Sequence, residues 1–474
     1  MPVFINKEQH DLTCSPGYPV LDLLRTDLKL TGTKAACREG DCGACLILLG
    51  EHNNKKNELS YRAVNSCILP AGDVEGRHIV TIEGLASQQI TPLSNLVLKE
   101  GASQCGYCSP GIIIAMTAYM LTAPFFSEQS AIAAVSGNLC RCTGYAAMQR
   151  AVLGMKNFFT ADAPSQPIPP PGEERIQFLV KTGILPLYFL KISEQLKKLP
   201  KHSSISAPIQ TEKNLLCIAG GTDFFVQHQG EAGKKSFQFL SYQDELQGIR
   251  REKETCLIGA GTTFTEIADS PDMQDMIPDI AAHFERIASL PIRNRATVGG
   301  NIVNASPIAD LSIYLLALDA KLHLQYHGEH RQVRLKDFFT GYKTLDLKKG
   351  ELVERIAFPV LKKQTLFNFE KVCQRSHLDI ASVNSAISLY VPEDCIKEVH
   401  LSAGGVAPTP LFLQQTVDYL TGKEINAQVI EQAAEIAMTE VSPISDSRGS
   451  ADYKRLLLGQ LIKGHFATLV PENI

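Results

Sequence analysis

Cys37-Arg38-Glu39-Gly40-Asp41-Cys42-Gly43-Ala44-Cys45 sets three cysteines within nine residues, with Cys67 further on. The spacing Cys-x4-Cys-x2-Cys with a distant fourth cysteine is the plant-type ferredoxin pattern, in which four thiolates bind two irons bridged by two sulfides. Three ligands from one loop oblige that loop to wrap the cluster. Gly40, Gly43 and Ala44 permit this, because small residues let backbone N–H groups approach the sulfides and offset their charge. Zinc is the competing occupant, but structural zinc usually takes two paired Cys-x2-4-Cys knuckles.

Outward from this loop, Val3–Asn6, Leu46–Leu49 and Ile79–Ile82 read as strands. Pro19, with Leu21, Leu24 and Leu28 at helical spacing, reads as the start of a helix. Residues 1–90 are therefore expected to form a small sheet crossed by one helix.

Residues 91–160 read as mostly helical and carry a second set, Cys105-x2-Cys108 and Cys140-x-Cys142. Ser109-Pro110 is a good N-cap and first-turn pair before an apolar run to Leu121. Ser127 to Ser136 reads as a helix stopped by Gly137-Asn138, and another is expected after Thr143. Each cysteine pair thus precedes a helix, so two positive helix ends would face one anionic site. Cys-x-Cys is too tight for a usual zinc knuckle, and no thioredoxin-like βαβ unit surrounds Cys105. Two adjacent clusters read as an electron wire.

The chain has 474 residues, of which 44% are hydrophobic and 20% charged, enough for several cores. Forty-six basic and fifty acidic residues leave a net charge of −4, which argues against a nucleic-acid binder working by phosphate neutralisation. No apolar run approaches the ~18 residues of a membrane helix. Met1 to Leu12 carries Lys7, Glu8 and Asp11 with no signal-peptide pattern, so a cytoplasmic location is expected. In a reducing compartment clustered cysteines are ligands rather than disulfides. Eight of the thirteen cysteines form the two sets; Cys14, Cys217, Cys256, Cys373 and Cys395 read as small buried apolar residues.

A Pro-rich stretch from Ala163 to Gly172 reads as a semi-rigid linker. Beyond it, Leu216–Ala219 is a strand running into Gly220-Gly221-Thr222-Asp223, and Cys256–Thr263 repeats strand and Gly turn. Thr297-Val298-Gly299-Gly300-Asn301 is a third Gly turn. Such turns can cradle phosphate through backbone N–H groups. No Gly-x-Gly-x-x-Gly opens the segment, so a Rossmann dinucleotide fold is not indicated. The last part mixes strands (386–391, 397–402) with helices (427–438, 451–463).

The motif at 37–45, Gln-Cys-Gly-Tyr-Cys-Ser-Pro-Gly at 104–111 and Gly-Asn-Leu-Cys-Arg-Cys-Thr-Gly-Tyr at 137–145 resemble the xanthine dehydrogenase and aldehyde oxidase family of molybdenum hydroxylases, over essentially the whole chain. The resemblance implies an α+β multidomain protein. Its parts would be a β-grasp 2Fe-2S ferredoxin domain at 1–90, a helical-bundle 2Fe-2S domain at 91–160 and a linker at 161–175. An α+β FAD-binding domain of the xanthine dehydrogenase type at 176–360 and a C-terminal α/β flavoprotein subdomain at 361–474 would follow. Cys37, Cys42, Cys45 and Cys67 would hold one cluster, and Cys105, Cys108, Cys140 and Cys142 the other. Gln104 matches the glutamine that touches the molybdopterin of the catalytic domain; otherwise it is a polar residue flanking a helix.

For FAD, the resemblance implies that Ile218, Ala219, Gly220, Gly221, Thr222, Asp223 and Phe224 line the diphosphate and ribose. Thr297, Gly300, Asn301, Asn304 and Asp310 would hold the diphosphate and adenosine side. Val353 would touch the flavin portion and Lys371 would lie near the isoalloxazine oxygen. There are departures: Ile287 stands where animal dehydrogenases place a phenylalanine, Gly221 where the family has asparagine, and Asn304 where it has threonine.

Gly341-Tyr342-Lys343-Thr344 resembles the segment whose tyrosine packs at the nicotinamide site, and Lys371 to Asp379 resembles the mobile loop over the flavin in dehydrogenase forms. NAD is the implied acceptor; otherwise Tyr342 is an ordinary half-buried tyrosine. The ending at Ser445–Tyr453 and beyond resembles the end of the flavin half in bacterial two-subunit enzymes. The expected protein is therefore the iron–sulfur and FAD small subunit of a bacterial-type xanthine dehydrogenase. It would partner a molybdopterin-binding large subunit in a heterotetramer of two small and two large chains, with no catalytic residue of its own for hydroxylation. The same subunit of an aldehyde or N-heterocycle oxidoreductase, or a flavin-free electron carrier, are the alternatives.

Overall fold

The computed structural model describes residues 1–53, 58–86, 89–159, 168–200, 202, 209, 215–375 and 378–473. Its first strands are β1 (Pro2–Ile5), β2 (Glu8–Asp11), β3 (Leu46–Asn53), β4 (Glu58–Asn65) and β5 (His78–Val80), in one sheet ordered β2-β1-β5-β3-β4. Only β1 and β5 run parallel; the other neighbours are antiparallel. This is the β-grasp arrangement expected. Alternation along the strands gives the sheet two apolar faces. Val3, Ile5, Ile47, Leu49, Val64 and Ile79 meet Val20, Leu23 and Leu24 on one side. Phe4, Leu48, Tyr61, Ala63 and Val80 meet the helical layer on the other.

Two local expectations are corrected. The helix after Pro19 is one α-turn, Val20–Asp22, continued by a wider π-turn, Leu23–Asp27. It is closed by Leu28 N–H donating to the Leu23 carbonyl at 3.0 Å. Leu21 and Leu24 are buried but Leu28 only half so. The strand expected to reach Ile82 stops at Val80, and Ile82 opens a short helix, Ile82–Leu85. Asn6 draws the chain out of the ladder there, its Oδ1 accepting from Thr81 N–H at 2.9 Å.

The helical layer contains α1 (Pro92–Lys99), α2 (Ser109–Thr122), α3 (Glu128–Val135), α4 (Ala146–Leu153), α5 (Glu173–Lys181) and α6 (Phe189–Leu196). Thr91 caps α1 and Ser127 caps α3, each side chain accepting a backbone N–H three residues on. Ser109 and Pro110 are the first two residues of α2, and Cys108 takes the N-cap position assigned to Ser109. α2 is buried on almost every side, which is why its sequence is apolar without a polar stripe. Residues 163–167 of the Pro-rich stretch lie outside the described residues. Arg175 ties Pro169 to the bundle: its guanidinium donates to the carbonyls of Pro169, Met120 (2.7 Å) and Ala123 (3.1 Å).

By contacts, the chain forms two compact units, Met1–Tyr242 with Ser289–Arg295, and Gln243–Ala288 with Ala296–Ile474. The first also holds β6 (Leu215–Ile218) parallel to β7 (Ser236–Phe239), with α7 (Thr222–Gln227) between them.

The second unit contains β8 (Ile249–Glu252), β9 (Thr255–Gly259), β10 (Lys321–Tyr326), β11 (Glu329–Arg334), β12 (Phe339–Gly341), β13 (Thr344–Leu345) and β14 (Leu352–Pro359). Five of these form an antiparallel sheet, β11-β10-β14-β9-β8, and β12 with β13 makes a hairpin. Two helices, α8 (Val298–Asn304) and α9 (Asp310–Leu316), follow one another between β9 and β10 in the chain. The third Gly turn is thus the start of a helix. A second antiparallel sheet joins β15 (Thr365–Val372), β16 (Val383–Tyr390), β17 (Glu398–Gly404) and β18 (Leu411–Phe412). Against it pack α10 (Ala427–Thr439) and α11 (Ala451–Leu469), around Ile387, Leu401, Leu458, Ile462 and Phe466. Of the five scattered cysteines only Cys256 is buried; Cys14, Cys217, Cys373 and Cys395 are half-exposed, which corrects their reading as core residues.

Candidate cofactor sites

Cys37, Cys42 and Cys45 lie on the loop entering β3, and Cys67 in the 3-10 turn Ser66–Ile68 that leaves β4. Leu46 faces Asn65 in the ladder, so the neighbouring Cys45 and Cys67 emerge at the same end of the sheet. Their Sγ atoms are 3.4 Å apart. Cys37 and Cys42 are hydrogen-bonded to each other in the same way. Arg38, Gly40 and Gly43 all take positive φ, which bends the loop around the sulfurs; glycine carries two of these positions without strain.

The second set is also paired. Cys142 donates to Cys105 across 3.7 Å, and Cys108 is hydrogen-bonded to Cys140. Cys108 caps α2, while Cys140 accepts from the Thr143 hydroxyl at 3.2 Å just before α4. Two thiolates on one tetrahedral metal, with bonds of about 2.3 Å, stand about 3.8 Å apart. Cys45 with Cys67 and Cys105 with Cys142, at 3.4 and 3.7 Å, lie near that spacing. Two ligand pairs per set are what two bridged irons take.

The thiols are electrostatically uneven. Cys37 is held down to about 5, chiefly by the thiol of Cys42 donating to it, and Cys45 is lowered because Cys67 donates. Their partners Cys42 and Cys67 are pushed up by making those bonds. Burial is the largest influence raising Cys108, to about 12; it opposes the net lowering of Cys140, where the Thr143 hydroxyl and nearby backbone amides prevail. A bound metal would take these sulfurs as thiolates and displace their protons.

The two sets touch through their loops. Leu139 N–H donates to the Cys42 carbonyl at 3.0 Å, and the Asn138 amide to the Gly43 carbonyl at 3.1 Å. Tyr107 OH donates to the Ala35 carbonyl at 2.6 Å. Asn65, buried beside Cys45, donates to the Gly40 carbonyl at 3.0 Å and points the same amide at the Cys45 sulfur, 3.9 Å away. Gln104, Cys105, Tyr107 and Cys142 are exposed, so the second set opens to the surface.

The Gly-Gly loop after β6 belongs to the first unit. Ile218 is buried, Gly221 adopts φ +70° as N-cap of α7, and Thr222, Asp223 and Phe224 form the first turn of that helix. Ala219 is half-buried and Gly220 buried. The Gly220 carbonyl accepts from Arg295 at 2.8 Å.

The remaining expected flavin residues lie in the second unit. Thr297 caps α8, accepting from Gly300 N–H at 3.2 Å. A Cβ built on Gly300 would meet only the Thr297 hydroxyl within 4 Å, so the backbone is open to a ligand's close approach. Asn301 accepts from Ser312 at 3.0 Å, and Lys343 donates to the Asn304 carbonyl at 2.5 Å. Asp310 opens α9 and accepts from Lys371 Nζ at 2.8 Å and from the Asn384 amide. Lys371 also donates to the Arg286 carbonyl at 2.9 Å. Asp310 and Lys371 are therefore held together as one ion pair. Val353 is buried on β14 opposite Leu324, and Ile287 is buried too. Tyr342 sits in the turn between β12 and β13, 66% exposed, not half-buried. In the loop 371–379, Arg375 pairs with Asp379; Ser376 and His377 lie outside the described residues.

Asn65, Arg295 and Asn384 are absent from the sequence reading. Asn138 and Lys343 enter it only as members of motifs, with no role of their own. Arg295 adjoins the Gly turn at 297–301, whereas Asn384 lies near the start of β16 and carries no local signal.

Four family profiles match the chain. They are a 2Fe-2S iron-sulfur cluster binding domain at 3–72, a 2Fe-2S binding domain at 81–153, the FAD binding domain in molybdopterin dehydrogenase at 201–361 and the CO dehydrogenase flavoprotein C-terminal domain at 369–469. Xanthine dehydrogenase of Drosophila subobscura is 27% identical over 97% of the chain, and aldehyde oxidase 2 of Macaca fascicularis 26% identical over 96%. The chain spans 38% of the length of each of these relatives. Among solved structures, a carbon monoxide dehydrogenase chain from Hydrogenophaga pseudoflava is 28% identical with a TM-score of 0.51, covering 54% of this chain and 89% of its own.

Proposed function

Since the chain belongs to the molybdenum hydroxylase family of xanthine dehydrogenase and aldehyde oxidase, we propose that it is the electron-transfer component of such an enzyme, linking a molybdenum-bearing partner to NAD. The observation that carries this reading is the contact between the two cysteine sets, each resolved into two sulfur pairs and joined by Leu139 and Cys42. Bound there, iron–sulfur clusters carry single electrons, and a flavin converts them into a hydride.

The chain's own residues have distinct tasks in this reading. Cys37, Cys42, Cys45 and Cys67 hold the inner cluster, and Cys105, Cys108, Cys140 and Cys142 the outer one. Asn65 and Asn138 brace the inner loop by its carbonyls. Ile218 to Phe224, Thr297, Gly300, Asn301, Asn304, Asp310, Val353 and Lys371 bind FAD, and the exposed Tyr342 is available to a nicotinamide. The domains run 1–90, 91–160, 176–360 and 361–474, with 161–175 as the linker.

The partner is a molybdopterin-binding large subunit, in a heterotetramer of two small and two large chains. Support comes from the exposure of Cys105 and Cys142, which opens one side of the outer set to the surface, and from the exposed Gln104 beside it. The substrate is xanthine, oxidised to urate on the partner, with the drosophilid relative in support. The aldehyde oxidase relative supports an aldehyde as the second reading. The test is affinity purification of the chain with its partner from its own cell, followed by NAD reduction with xanthine and with aldehydes. NADH formation with xanthine is the expected result. Turnover of aldehydes alone favours the second reading, and a lack of any molybdenum-containing partner overturns the first.

A further inference from the structure

Arg295 ends the segment Ser289–Arg295, which belongs to the first unit although its chain neighbours on both sides belong to the second. Ile292 of this segment approaches Gly40 in the inner cysteine loop, and Ser289 and Pro291 approach Gly137 beside the outer one. Asn294 donates to the Ala63 carbonyl on β4 at 2.9 Å. Arg295 itself is buried. One nitrogen of its guanidinium stands 2.6 Å from Asp73 Oδ2 and donates to the Gly220 carbonyl at 2.8 Å.

Asp73 has other partners. Its side chain is fully buried, accepts from Ser241 at 2.9 Å and lies 3.6 Å from Arg77, which in turn pairs with Glu51 at 3.1 Å. A second cation thus already faces Asp73, so neutralising it does not by itself explain Arg295. What Arg295 alone supplies is the bond to Gly220. A planar guanidinium can meet a carboxylate and a carbonyl together, and stays charged when buried.

The bond has a directional consequence. In a trans peptide the carbonyl and the following N–H point in opposite directions. Holding the Gly220 carbonyl against Arg295 therefore turns the Gly221 N–H away from Asp73. Two successive glycines would otherwise rotate that peptide easily. We propose that Arg295, anchored by Asp73, is a positioning residue for the Gly220–Asp223 loop: it fixes the Gly220–Gly221 peptide with its N–H presented to the diphosphate of a bound dinucleotide. The inference rests on the flavin reading above, and it makes flavin affinity depend on an acid of the ferredoxin domain.

The experiment measures FAD rebinding to the whole chain, stripped of flavin, by quenching of flavin fluorescence. Cluster EPR and thermal melting are recorded on the same samples. Arg295→Ala should weaken FAD binding about tenfold or more, the size of one charge-assisted hydrogen bond. Arg295→Lys should recover part of the loss, and both cluster signals should persist in each. Should Arg295→Ala fail to fold, the double variant Asp73→Asn/Arg295→Met removes both charges together and should show the same loss. Wild-type FAD affinity in a folded Arg295→Ala or in the double variant overturns this inference alone. Failure of the wild-type chain to bind FAD overturns the flavin reading and the inference with it.

Discussion

The backbone N–H of Leu139 donates to the carbonyl of Cys42 at 3.0 Å. Leu139 adjoins Cys140, so one hydrogen bond separates a cysteine of one set from the neighbour of a cysteine in the other. Asn138 repeats the link at Gly43, and Gly111 at the start of α2 leaves room for it. The two cysteine loops are therefore built as one structure.

Gly111→Ala should break that junction. The added Cβ would lie 2.2 Å from the Gly43 carbonyl oxygen, a backbone atom that cannot swing aside. A loss of about 1–3 kcal/mol is expected from such overpacking, read as a lower urea midpoint. The EPR lines of both clusters should also change. An unchanged midpoint would contradict the contact.

Cys142→Ser should abolish the outer cluster and spare the inner one. Cys142 is exposed and paired with Cys105, whereas all four inner ligands are untouched. EPR of the reduced chain should lose one signal of two. Equal loss of both would show that the inner loop cannot form without the outer metal.

Acid should destabilise the first unit through His78. Its Nε2–H donates to the Asn6 carbonyl and its Nδ1 accepts from Tyr61 OH, so the buried ring is neutral. Burial lowers its pKa to about 4 from 6.5. The unfolded chain binds the proton first, so the contribution is complete above pH about 6.5 and is lost as pH falls toward about 4. His78 alone accounts for about 3 kcal/mol across this window. His283 in the second unit is lowered similarly, to about 4. Urea unfolding as a function of pH checks this: His78→Gln should flatten the slope between pH 6.5 and 4, and an unchanged slope would contradict it.

The cysteine sets were legible because metal ligands are named by residue type and spacing; β1, β3 and β5 were read as strands, whereas β2, with one half-buried residue among exposed ones, and β4 were not. The π-turn at Leu23–Asp27 was not legible, since Leu21, Leu24 and Leu28 fit an α-helix equally well. Nor was the end of β5, which Asn6 decides from the turn after β1. The Arg295–Asp73 and Lys371–Asp310 pairs join residues far apart in the chain, where periodicity has nothing to report.

Tyr342→Ala and Lys371→Ala should separate the acceptor site from the clusters. Tyr342 is exposed, so its removal should leave thermal melting unchanged while raising KM for NADH in dye reduction. Lys371→Ala takes an ion-pair partner from Asp310 and should lower FAD retention as well as activity. Both cluster signals should persist in both variants. Unaltered NADH kinetics in both would move the acceptor site elsewhere.

Iron, zinc and flavin analysis of the purified whole chain, with EPR after reduction, decides whether both cysteine sets carry clusters beside a flavin. Two irons in each set, two distinct 2Fe-2S signals and one FAD are expected. That preparation should oxidise NADH with a dye yet leave xanthine unchanged. Zinc in place of iron at either set, or a single cluster signal in an iron-replete sample, would contradict the two-cluster reading.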